Sequence, residues 1–102
     1  MLEPSQISKI QKTMTEDDVV LSSVFSILGD KTRFRILKIL IQYGELCVSD
    51  LAAILDASVS SVSQHLRVLE MSGLVMGERM GQMMCYKPLI DNPKVKAIIN
   101  LM

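Results

Sequence analysis

SDLAAILDASVSSVSQHLRVLEMSG, residues 49–73, is the stretch that decides the fold. Ser49 caps a short apolar helix ending near Leu55, and a tight turn follows at Asp56-Ala57-Ser58. Ser58 then caps a second helix from Val59 to Met71, which Gly73 stops. At 100° per residue, Val59, Val62, Leu66 and Leu69 fall within about 80° of one another and are expected in the core. The opposite sector holds Ser60, Ser61, Gln64, Arg67, Val68 and Met71, with His65 on the border. Ser58, Ser60, Ser61 and Ser63 cost helix propensity that an ordinary solvated face, rich in Glu and Lys, avoids. A groove-facing role explains them: hydroxyls donate or accept at many base edges, and Gln64 can pair bidentately with adenine. A helix anchored on one side and offering such groups on the other suits a DNA major groove. Arg67 lies a turn further on, where it would meet a phosphate. His65 has two readings, a hydrogen bond that holds the fold or a base contact.

Upstream, Thr15 caps a helix with Asp18 at its third position, and Val20, Val24, Ile27 and Leu28 recur at helical spacing before Gly29. Asp30 caps the next helix, Lys31 to Tyr43, which stops at Gly44. Lys31, Arg35 and Lys38 share one stripe of it; Phe34, Ile36, Leu37, Ile39, Leu40 and Ile41 cover most of the rest, so it is central. Arg33 lies on the apolar side, where a charge needs an ion pair or a carbonyl. Residues 45–48 form a brief strand at most. After Gly73 the pattern turns extended: residues 74–79 and 83–87 flank a turn at Met80-Gly81-Gln82, a hairpin that Pro88 ends. In this position a hairpin is a wing. Val95, Ile98, Ile99 and Met102 mark one face of a last helix. The expected fold class is mainly α with a small β-hairpin wing (α+β), a winged helix-turn-helix. Residues 1–14 form an N-terminal arm, frayed or helical, and 15–102 the DNA-binding and dimerisation domain.

The chain has 102 residues, 49% of them apolar, which fits one small globular domain and excludes disorder. No apolar run approaches the roughly 18 residues of a membrane span, and the start lacks a signal-peptide pattern, so the expected compartment is the cytoplasm. The formal net charge is zero, unusual for a protein that gains affinity from phosphates. Its distribution matters more: Glu16, Asp17 and Asp18 are acidic, whereas Lys31, Arg33, Arg35 and Lys38 cluster. With no paired acids, activated nucleophile or phosphate loop, and one histidine, an enzyme is not expected. The competing reading is a winged-helix module that binds protein rather than specific DNA, with Val68 and Met71 as its exposed apolar groups.

Three stretches resemble the ArsR-type winged-helix repressors over about residues 20–100. Residues 28–37, LGDKTRFRIL, look like the opening of that family's second core helix. Residues 58–69, SVSSVSQHLRVL, are similar to its recognition helix, and Gly73-Leu74-Val75 with Arg79, Gly81 and Tyr86 looks like its wing. The resemblance implies a homodimer joined through the first and last helices, bound to a palindromic operator on double-stranded DNA and released by an effector. Arg79 and Gln82 of the wing would then lie along the backbone or in a minor groove.

Residues 45–51, ELCVSDL, look like the family's thiolate site for arsenic, lead or cadmium, with Ser49 in place of a second cysteine and no sulfur at Ala52. The family's zinc or cobalt site needs histidines and carboxylates on the last helix, and residues 93–102 contain neither. No metal or cofactor is assigned beyond a soft metal or thiol-reactive effector at Cys47 and Cys85. In winged-helix folds the segment before the third helix pairs with the returning wing strand, which would set these cysteines on adjacent strands as a thiol switch. The plainer alternative is two unrelated thiols packed as small hydrophobes. A Cα separation above about 7 Å would exclude a disulfide.

Overall fold

Caps and glycines set most element boundaries. The computed structural model describes residues 1–102 apart from the side chains of residues 16 and 17, so two of the three acids noted above lie outside the described side chains. The order is α1 (Pro4–Gln11), α2 (Glu16–Leu28), α3 (Lys31–Tyr43), β1 (Leu46–Cys47), α4 (Val48–Leu55), α5 (Val59–Met71), β2 (Val75–Met80), β3 (Met83–Pro88) and α6 (Pro93–Leu101). The Thr15 N–H donates to Asp18 Oδ2 at 2.9 Å, and Asp30 Oδ1 accepts from the Arg33 N–H at 3.0 Å. Gly44, at φ 83°, closes α3 in a conformation that side chains resist. The arm at residues 1–14 is helical over α1, which has no buried residue.

The core is built on the packing of α3 against α5, with α4 on α5 and α6 on α2 extending it. Ile36, Leu37 and Leu40 of α3 meet Val62, Leu66 and Leu69 of α5, Leu51 of α4 and Val95 of α6, all fully buried. Burying each such side chain contributes about 1.5–3 kcal/mol before the entropy of ordering it. The three strands form one antiparallel sheet in the order β1-β3-β2. The winged helix-turn-helix fold expected from the sequence is the one observed.

Three local expectations need correction. α4 begins at Val48 rather than after Ser49: Cys47 ends β1 in an extended conformation and serves as the cap, its N–H bonded to Asp50 Oδ2 at 3.3 Å. Pro88 is the last residue of β3, opposite Val75, rather than the residue beyond it, a position where its missing N–H costs little. Arg33 is half-buried, but its Nε is buried without a hydrogen-bond partner among the described residues, so the contact expected there is not seen.

Candidate DNA-binding surface

The turn between α4 and α5 is tight because Asp56 takes the left-handed conformation (φ 52°), which an aspartate tolerates better than most side chains. The chain then re-enters a helix at Ser58, whose Oγ accepts from the Ser61 N–H at 3.1 Å. That hydroxyl is committed to the cap. Val62, Leu66 and Leu69 hold α5 to the body, while Ser60, Gln64, Arg67, Val68 and Met71 are exposed. Ser61, Ser63 and His65 are half-buried at the edges of that face.

Val59 is not a core residue. It is 54% exposed, although Val62 three residues on is fully buried. Helical periodicity gives the side on which a residue sits, not whether the neighbouring elements reach that far.

His65 faces the protein: its Nε2 lies 4.0 Å from Oδ1 of Asp30, the cap of α3. The Arg33 backbone N–H holds the Asp30 carboxyl below the usual carboxylate range, and the charges of His65 and Arg33 add to this against a smaller cost of burial. One carboxylate thus starts α3 and meets α5.

The wing is attached to α5 by a contact the sequence did not disclose. Glu70, in the last turn of α5, accepts the Gly77 N–H through Oε2 at 2.9 Å. A Cβ at Gly77 would lie 2.7 Å from the Tyr86 ring and 3.1 Å from Glu70 Oε2, so only glycine fits there. Burial raises the Tyr86 hydroxyl above its usual value; the Glu70 charge adds to the effect and Arg67 opposes it. The signal was available only as an acid close to the end of α5 and a lone glycine inside a strand. At the tip, Gly81 has φ 66°, and Arg79 and Gln82 are exposed on either side of it. α5 and the wing therefore present Ser60, Gln64, Arg67, Arg79 and Gln82 to solvent, polar groups without a buried charge among them.

Cys47 and Cys85 are opposed in the β1–β3 register and joined by a disulfide, with Cα atoms 3.7 Å apart. The strand pairing expected of the fold is present. The thiolate metal site implied by the resemblance does not fit: Cys47 is bonded to Cys85, and Ser49 offers only a hydroxyl. Among the described residues no three His, Cys, Asp or Glu side chains converge in a way that could hold a metal.

Residues 30–76 match the family described as bacterial regulatory protein, arsR family. The cadmium resistance transcriptional regulatory protein CadC of Listeria innocua is 41% identical over 86 residues, covering 84% of this chain and 68% of that protein. The arsenical resistance operon repressor of Escherichia coli is 42% identical over 64 residues, 63% of this chain and 55% of that repressor. Among solved structures, HlyU from Vibrio cholerae superposes with a TM-score of 0.75 at 31% identity, covering 86% of this chain and 92% of that one. The AntR antimony-specific transcriptional repressor gives 0.74 at 28% identity over 86% and 78% of the two chains. The helix-turn-helix, the wing and these matches agree: the chain belongs to the arsR family of bacterial regulatory proteins and is a winged-helix, DNA-binding transcriptional regulator.

Proposed function

We propose that two copies of this chain bind a palindromic operator in the cytoplasm, repress transcription there, and are released by an effector acting through Cys47 and Cys85. The observation that carries the DNA half is the exposed face of α5, where Ser60, Gln64 and Arg67 stand opposite the buried Val62, Leu66 and Leu69. In this reading Ser60, Ser61, Ser63 and Gln64 approach base edges and Arg67 a phosphate. Ser58 contributes through the cap that fixes the N-terminus of α5, and His65 through its contact with Asp30. Arg79 and Gln82 follow the backbone beside the wing.

Dimerisation is supported by apolar surface that a lone chain leaves in water. α2 and α6 pack together, and the exposed Phe25, Leu101 and Met102 line a groove of about 490 Å³ that reaches Val24 and Ile98. The interface would run through these two helices, with residues 15–102 forming the working domain and α1 an appended arm.

A salt titration on a duplex selected from genomic fragments tests the DNA reading. Affinity should fall steeply as salt rises, with a logarithmic slope of about −0.9 per phosphate contacted. Binding that ignores salt, or no selected duplex at all, would overturn it.

A further inference from the structure

The disulfide joins two cysteines of unequal access. Cys85 is 1% exposed, in the middle of the sheet. Cys47 is half-buried and lines an open cleft of about 310 Å³ between the start of α4, the first turns of α5 and the wing tip. Val59, Ser63, Gln82 and Met83 form other walls of that cleft. Two of these, Ser63 and Gln82, belong to the surface proposed to meet DNA. The exposed Val59 thereby acquires a setting, as a wall beside the sulfur.

Resting on the DNA-binding function proposed above, we infer that Cys47 and Cys85 form an oxidation site for a small hydroperoxide, with Cys47 the attacking thiol and Cys85 the resolving one. Reagents reach Cys47 through the cleft and do not reach Cys85. In the first step the Cys47 thiolate attacks the terminal oxygen of the hydroperoxide. The S–O bond forms, the O–O bond breaks, and the other oxygen leaves as an alcohol or water after taking a proton. In the second, Cys85 loses its proton and attacks the Cys47 sulfur; the S–S bond forms, the S–O bond breaks, and water leaves. The two thiols are oxidised by two electrons, and the hydroperoxide is reduced by two.

Register makes the second step fast relative to further oxidation, because Cys85 lies directly opposite Cys47 on the paired strand. DNA-binding proteins work where thiols are kept reduced, so a disulfide there is conditional rather than structural. The bond adds a covalent link to the strand pairing of β1 with β3, and in the reduced protein β1 and the first turn of α4 are held to the wing strand by that pairing alone. DNA binding and oxidation then oppose one another: duplex against Ser63 and Gln82 covers the mouth of the cleft, and the disulfide fixes the wing against α4.

The test uses the full-length reduced protein, hydrogen peroxide and a selected duplex. Intact mass after alkylation should show one intramolecular Cys47–Cys85 link. Cys85→Ser should stop at a dimedone-trappable sulfenic acid on Cys47, and Cys47→Ser should be inert at the same dose. Oxidation should weaken duplex binding about tenfold or more, reversibly with dithiothreitol, and bound duplex should slow the oxidation of Cys47. Equal reactivity of Cys47→Ser and wild type, or links only between chains, would overturn the assignment of roles. Disulfide formation without loss of affinity would overturn the switch. Failure of the reduced protein to bind any duplex would instead strike the underlying DNA reading, since the mass measurement needs no DNA.

Discussion

Gln64 and Arg67 share one exposed face of α5, and the proposed function gives them different work on a duplex. Gln64→Ala should cost about 1–3 kcal/mol on the selected site and relax one base position. Arg67→Ala should weaken all sequences alike and lower the salt slope. Competition binding over a panel of single-base variants separates the two; a uniform loss from both would refute the division of roles. Asp30 offers a pH test of a different kind. Its folded-state value is depressed, so its contribution to stability is complete above the ordinary aspartate range and disappears as pH falls through the lowered value. Thermal melts of the wild type should therefore lose stability below about pH 4, and Asp30→Asn should flatten that decline. An unchanged acid limb in the variant would remove Asp30 from the account.

At the scale of elements, the sequence disclosed helices better than their meetings. The bounds of α5 follow from Ser58 and from Val62, Leu66 and Leu69, because a cap and a 3.6-residue period are local signals. The exposure of Val59 and the junction of α5 with the wing are not local. The junction depends on where β2 falls against Glu70, and the exposure of Val59 on which elements reach the start of α5; spacing alone fixes neither. Cys47–Cys85 lay between these cases: each cysteine was placed on a strand from the pattern, and their pairing came from the architecture. Glu70→Ala should leave α5 intact, weaken the wing's attachment by about 1 kcal/mol, and raise amide exchange in β2 before any change in overall unfolding. Gly77→Ala is the harsher test, forcing a methyl against the Tyr86 ring at a cost of about 1–3 kcal/mol. If hydrogen exchange of β2 were the same in wild type and Glu70→Ala, the junction would carry no load.

For the whole molecule, zero net charge means that long-range attraction to DNA is weak, so close contacts carry more of the affinity. In the proposed dimer those contacts are made twice, and pairing of two copies becomes a condition of tight binding. Phe25, 62% exposed on α2, is the most direct place to break it. Phe25→Glu should make the protein monomeric in analytical ultracentrifugation at concentrations where the wild type is dimeric. It should also reduce operator affinity more than half-site affinity. A dimeric Phe25→Glu protein would move the interface away from α2 and α6.

Asn92 caps α6 by accepting the Lys94 N–H at 2.8 Å, while its Nδ2 donates to the Gly73 carbonyl, just past the end of α5, at 2.7 Å. One side-chain amide therefore hinges the half of the molecule that reads sequence to the helix proposed to pair the copies. In the proposed dimer, the angle at that hinge would set how far apart the two copies of α5 stand, and so which half-site spacings are accepted. Aspartate at position 92 would keep the cap but turn an oxygen toward the Gly73 carbonyl in place of the donor. The resulting protein should tolerate a wider range of operator spacings while recognising each half-site as before, a loss of ruler without a loss of alphabet.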